Sequence, residues 1–129
     1  MPDFPQARDC LSLWKSDEYR DYARRLTRRA LELLDAGVDY IGSDDVEPGA
    51  ISRGVPGSVI CAMRNGHVLA DYWGSRPEAG IVHGRRKSKR AERNGAKVSL
   101  YTLTSRAAAE TLLRRLGADV TPQQGELRL

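Results

Sequence analysis

The sequence predicts an α+β domain built from amphipathic helices and a β-hairpin, and three observations carry the prediction. Apolar residues recur at steps of three and four over residues 17–36 and again over 106–116, the spacing of one helix face. Residues 67–73 and 97–103 alternate apolar and polar positions, and the second run is rich in β-branched and aromatic side chains. Between these runs lies a loop of about 23 residues, Gly74–Ala96, against the roughly 2–5 of an ordinary hairpin. Its second half is densely cationic.

At 129 residues the chain fits one domain with one core. A hydrophobic content of 40% with 29% charged residues suits a globular protein, and only 6% aromatics implies an aliphatic core. Cys10 and Cys61 lie far apart without a CxxC, so both are expected as small buried hydrophobes with free thiols. His67 and His83 have no cysteine at metal spacing, which argues against zinc. No apolar run approaches the roughly 20 residues of a membrane span, and the N-terminus lacks the order of a signal peptide. A cytoplasmic protein without membrane contact is expected.

Taken in order, Pro2 and Pro5 predict an extended lead, and Gln6–Trp14 a short helix. Ser16 reads as an N-cap, with Asp17 and Glu18 in the first turn, where the helix dipole favours negative charge. Tyr19, Tyr22, Ala23, Leu26, Ala30, Leu33 and Leu34 share one face of a helix over Asp17–Ala36, and Gly37 suits its C-terminus. The arginines opposite that stripe read first as a solvated face and second as contacts to phosphate or an acidic partner. Val38–Ile41 predicts a short strand. Ser43-Asp44-Asp45-Val46 resembles a helix start, so a short helix is expected over Asp44–Ile51, distorted by Pro48 and Gly49. A turn over residues 52–55 leads to Pro56, which suits the first turn of a helix over Pro56–Asn65. Val59, Ala62 and Met63 face inward there, while Ser58, Cys61, Arg64 and Asn65 face outward. The amides of Gly57 and Ser58 offer an anion-binding end. Thr104 or Ser105 caps the last helix, Arg106–Leu116, whose leucines Leu112, Leu113 and Leu116 either close the core or form a homodimer contact. Residues 118–129 read as a flexible tail.

A short helix, a turn, a second helix and a β-hairpin, in that order, form the plan of a winged helix-turn-helix: a three-helix core, a hairpin wing, and here an extra C-terminal helix. The domain is expected over 16–104 with its wing over 74–96, after an N-terminal extension, 1–15, and before the helix at 105–117. The positive charge is local. Arg85, Arg86, Lys87, Lys89, Arg90, Arg93 and Lys97 stand against the single acid Glu92, in a chain whose net charge is only +4. The remainder is therefore net negative, which points to an anionic partner for this segment. The loop exceeds what a wing needs, so either part of it is expected to be disordered without DNA or Arg85–Asn94 forms a short helix instead.

Three stretches extend this plan. Ile41-Gly42-Ser43-Asp44-Asp45-Val46, then Pro56 with Ala62-Met63-Arg64-Asn65-Gly66-His67-Val68-Leu69, then Ser75-Arg76-Pro77-Glu78-Ala79, resemble small winged-helix proteins encoded by phages and prophages. The resemblance covers about residues 20–104 and implies a winged-helix fold and DNA binding. The chain departs from that pattern in its long basic wing and its additional C-terminal helix.

The expected partner is double-stranded DNA. Arg53, Gly57, Ser58, Cys61, Arg64 and Asn65 are the candidate contacts of a recognition helix in the major groove, since arginine and asparagine pair bidentately with guanine and adenine edges. Arg85, Arg86, Lys87, Lys89, Arg90, Arg93 and Lys97 are the candidate wing contacts to backbone or minor groove. The role expected is a phage-type transcription regulator or replication-origin binder. The alternative is a protein-interaction module on the same scaffold, with a replication or transcription protein as partner. RNA is disfavoured by the few aromatics available for stacking. No nucleotide-binding glycine loop, HExxH or GxSxG occurs, so neither an enzyme nor a cofactor is expected. Asp44, Asp45 and Glu47 read as helix-dipole acids before they read as a magnesium site.

Overall fold

The computed structural model describes residues 16–47, 49, 52, 54–89 and 96–117. The helix expected over Gln6–Trp14, Cys10, the candidate contacts Arg53, Arg90 and Arg93, and the C-terminal tail lie outside the described residues. Among the described residues the architecture is α+β, with three helices and a small antiparallel sheet of four strands.

Helix α1 spans Asp17–Asp35. The Ser16 hydroxyl accepts the Glu18 N–H at 3.1 Å, which caps the helix where the sequence predicts. Tyr22, Ala23, Leu26, Thr27 and Ala30 are its buried face. Thr27 escapes the cost of an unpaired buried hydroxyl by donating to the Ala23 carbonyl at 2.7 Å. Four of the arginines on the far side are engaged within the chain. Arg20 pairs with Asp17, Arg25 with Asp21, Arg29 with Glu32, and Arg24 donates to the Leu116 carbonyl at 3.1 Å. This favours a structural, solvated face over a ligand-binding one.

Strand β1, Ile41–Gly42, is shorter than the expected Val38–Ile41. The helix expected to start at Asp44 does not: Ser43–Asp45 form a single 3₁₀ turn, and Val46 is already extended at φ −121°, ψ 128°. The reason is that the two acids serve tertiary partners, described below, rather than a helix dipole. Helix α2, Val55–Asn65, begins after Gly54, whose φ of 94° suits glycine, and carries Pro56 in its first turn. Val55, Val59, Ile60, Ala62 and Met63 are buried. Helix α3, Arg106–Arg115, is capped by Ser105, whose hydroxyl accepts the Ala108 N–H at 3.0 Å. Leu112 and Leu116 join the cluster formed by α1 and α2, and Leu113 is buried as well. These leucines are used inside the chain, so α3 belongs to the core.

The sheet is organised on β4, Lys97–Leu103. β1 pairs with one edge of it, Ile41 opposite Tyr101 and Gly42 opposite Leu100. Along the other edge run β2, Leu69–Asp71, opposite Tyr101–Leu103, and β3, Arg85–Lys87, opposite Lys97–Ser99. Leu100 joins the two halves of that edge. Its carbonyl accepts the Tyr72 N–H at 3.0 Å, and its own N–H donates to the Gly84 carbonyl at 2.8 Å. β2 and β3 are thus one interrupted edge, and residues 73–83 are an excursion out of it. This corrects the expected single loop over 74–96, and it replaces the alternative of a helix starting at Arg85 with a strand.

Gly84 closes the neck of the excursion. Its φ is +72°, and a Cβ there would lie 1.8 Å from the Tyr72 carbonyl oxygen, so no side chain fits. Within the excursion Pro77–Ala79 make a 3₁₀ turn, and Arg76 and Ile81 exchange both backbone hydrogen bonds. Ile81 is fully buried. Ile41 and Leu69 belong to the helical core, and Tyr101 and Leu103 pack against it. Val98 and Leu100, on the opposite face by strand alternation, are buried outside that cluster.

Candidate nucleic-acid interface

Helix α2 presents the outward residues its periodicity predicts. Gly57, Ser58, Cys61 and Arg64 are exposed, and Asn65 is half-buried. Cys61 is a free, exposed thiol, which corrects the expectation of a buried one; the inward stripe has no place for it. The Asn65 amide points its Nδ2 toward Cys61 Sγ at 3.6 Å. The Ser58 N–H is not offered to an anion as expected, because it donates to the Gly54 carbonyl at 3.0 Å. Arg64 is held as a fork: Nε lies 3.1 Å from Asp71 Oδ1, and Nη2 lies 3.1 Å from Oδ2. A bidentate pair of this kind fixes the plane of the guanidinium.

The cationic run is divided by strand alternation. Successive residues of a strand point to opposite faces, so Arg85-Arg86-Lys87 splits two and one. Arg85 stands opposite Ser99, and Lys87 stands opposite Lys97, and all four are exposed. Lys87 and Lys97 are like charges directly across a ladder, an arrangement that destabilises the free protein. An anion between them would relieve it.

Arg86 points the other way, against the turn after β1. Its Nη2 lies 2.8 Å from Asp44 Oδ1 and 2.8 Å from Asp45 Oδ2, with the arginine side chain 10% exposed and the carboxylates 1% and 3%. The guanidinium also lies over the Tyr40 ring, 5.9 Å from its centre. Lys89 completes the cluster, with Nζ 2.6 Å from Asp45 Oδ1 and its backbone N–H 3.0 Å from Asp44 Oδ2. Burial pushes the Asp45 pKa up, but bonds from the Gly42 N–H, Lys89 and Arg86 together outweigh it and leave the carboxyl below its ordinary 3.8. For Arg86, burial disfavours the charge, and Asp44 and Asp45 more than restore it. Gly42 makes room for the cluster, since a Cβ there would sit 2.6 Å from Asp44 Oδ1. Two of the expected wing contacts are therefore reassigned. Arg86 is a buried structural cation, and Lys89 is engaged with Asp45 although more than half exposed.

Arg64 and Asp71, with Trp73, His83, Arg85 and Ser99, line one open groove of about 410 Å³. The fold thereby brings the end of α2 and the outer face of β3 and β4 to a common concavity. Trp73, His83 and Ser99 were not legible as site residues. Trp73 sits at the end of an alternating run and reads as a strand residue, yet it is 73% exposed. His83 adopts a left-handed φ of 49°, and its N–H donates to Ser75 Oγ at 2.9 Å.

No family model matches the chain, and no curated protein or solved structure matches it. Among the described residues no group of histidine, cysteine, aspartate or glutamate side chains is placed to hold a metal ion. No helix among them is long and apolar enough to cross a membrane.

Proposed function

We propose that the protein binds double-stranded DNA as a winged helix-turn-helix, with α2 in the major groove and the β3–β4 ribbon along the backbone or adjacent minor groove. The observation that carries this is the shared groove. Arg64 at the end of α2 and Arg85 on the ribbon line the same concavity, and Lys87 and Lys97 extend the ribbon's outer face beyond it. The placement of α2 ahead of strands β2 to β4 is in keeping with that fold plan, whereas the helix expected to start at Asp44 does not form there. Arg64, braced by Asp71, supplies a rigid fork for a base edge, guanine by chemistry. Arg85, Lys87 and Lys97 supply phosphate neutralisation without sequence preference. A regulator or origin binder of the phage type is the role in keeping with the resemblance above.

Selection from a random DNA pool, read by sequencing, tests this. Enrichment of a defined site, lost in R64A, is the expected result, and a palindrome would indicate a dimer on DNA. A chain that retains no duplex at about 100 mM salt but retains a stoichiometric protein would replace the proposal with the interaction-module alternative.

A further inference from the structure

Trp73 is one of two large hydrophobic side chains, with Val82, that stand exposed among the described residues. It is placed where an exposed indole is hardest to explain by packing, in a groove that two arginines also line. Arg64, Arg85, Ser99 and His83 line the same groove. The neck holds the residue in position: Gly84 donates to the Gly74 carbonyl at 2.9 Å, and a Cβ on Gly84 would come within 3.4 Å of Trp73 Cα. Because position 84 is glycine, no side chain from that position covers the indole's backbone. Tyr72, the preceding residue, is tied down separately, with its hydroxyl accepting from Arg76 Nε at 3.0 Å and its ring 5.2 Å from that of Tyr40.

A flat apolar face flanked by cations is the chemistry that holds a nucleobase. The ring system stacks, and the cations neutralise the phosphates on either side of it. A base inside a continuous duplex is already stacked on both faces, so it offers Trp73 nothing. A base that is unpaired, bulged or at a single-strand junction offers a free face. The groove volume of about 410 Å³ leaves space for one such base beside the indole. Asp71 on the wall accepts hydrogen bonds and so suits an exocyclic amino group of adenine, cytosine or guanine, while its pairing with Arg64 offsets its charge. A protein ligand on this patch would have to match an arginine-rich groove with acidic groups, and nothing in the geometry calls for that.

Resting on the DNA-binding proposal above, we infer that Trp73 stacks an unpaired nucleobase in the groove between α2 and the β3–β4 ribbon, so that the preferred ligand is duplex DNA carrying an opened base or a single-strand junction. The chain has two tryptophans, Trp14 and Trp73, so in a W14F background only Trp73 reports by indole emission.

The test compares a paired duplex, the same duplex with one unpaired adenine, and the same duplex with a single-stranded overhang. The expected result is quenching of Trp73 emission by the two probes with a free base and tighter binding of those probes. By the strength of base–aromatic stacking, the preference should be roughly 5- to 150-fold. In W73A the ratio of affinities should fall to near one, and W73F should retain part of it. Equal affinity for all three probes, or no quenching by the unpaired probes, overturns the inference while leaving duplex binding in place. Failure to bind any of the three overturns the DNA-binding proposal itself. Quenching by a captured protein rather than by DNA also overturns the inference. Circular dichroism of W73A and W73F separates a lost stacking partner from a lost fold.

Discussion

Two adjacent arginines should respond in opposite ways to the same substitution. Arg85 lies on the outer face of the ribbon and Arg86 in the buried carboxylate cluster. Removing Arg86 leaves Asp44 and Asp45 as buried charges whose principal counter-ion is gone, and breaking a buried pair this way costs about 3–5 kcal/mol. For a domain of this size each kcal/mol moves Tm by roughly 4–8 °C, so R86A should melt at least about 12 °C below the parent chain or fail to fold. R85A removes an exposed side chain and should change stability by no more than about 0.5 kcal/mol. The salt dependence of DNA binding should reverse the order. Each phosphate contact contributes about −0.9 to the log–log slope, so R85A should flatten it by about 0.9, and loss of Arg85, Lys87 and Lys97 together by about 2.7. Between 50 and 200 mM salt a slope of 2.7 corresponds to roughly a 40-fold change in affinity. Urea melts followed by tryptophan emission, with a salt titration of fluorescently labelled duplex, measure both quantities. A folded R86A with parental stability and a slope flattened by about 0.9 would refute the assignment of Arg86 to structure and Arg85 to ligand.

The acid limb of stability should follow Asp45. Its folded pKa is depressed, so the stability it contributes is present above its unfolded value of 3.8 and is lost as pH falls through the lower folded value. D45N should be less stable at neutral pH and show a shallower loss below pH 3.8 in urea melts than the parent. G84A should cost more than about 2 kcal/mol, because the Cβ meets the Tyr72 carbonyl, whereas G80A, at the same φ of +72° but with nothing within 4 Å, should cost only about 1–2 kcal/mol. Equal losses in denaturant melts would count against the neck. D71A frees the Arg64 fork and should relax discrimination among selected sites more than it weakens binding to random DNA, as read by competitive gel shift. S105A should lower stability by about 0.5–2 kcal/mol through the loss of the α3 cap, visible as a shifted urea midpoint.

The elements legible in the sequence are those whose signals are local. Ser16 and Ser105 cap α1 and α3 within three residues of the amides they serve, and the first half of Lys97–Leu103 alternates exposed and buried because its two faces meet different surroundings there. β3 was hidden for the opposite reason. Arg85-Arg86-Lys87 is uniformly cationic, so hydrophobic periodicity has nothing to detect, although Arg86 is the inward residue. That no helix starts at Asp44 has the same origin. Asp44 and Asp45 look like first-turn acids, and their real partner, Arg86, is 42 residues from Asp44. At the candidate interface, the outward face of α2 follows from its period of 3.6. The split of the basic run does not, because it depends on a register that only pairing with β4 defines. Trp73 carried no sequence signal that set it apart from a strand residue facing the core.

The dependence of the whole sheet on β4 also sets a schedule for the chain during its synthesis. Every pairing between the strands β1 to β4 runs through β4, and it is the last of them to leave the ribosome. At roughly 5–20 residues per second, Ile41 waits about 3–12 s for Tyr101 to be made. Helix α1 can form in that interval from its own residues, but β1 and the aspartates beside it have no partner strand. Asp44 and Asp45 meanwhile stay in water, where an unpaired charge costs nothing. Their desolvation is deferred until β4 draws β3, and with it Arg86, into place. A nascent chain stalled before residue 97 should therefore hold a helix and an open, hydrated acidic turn, and sheet formation should begin only when β4 is released.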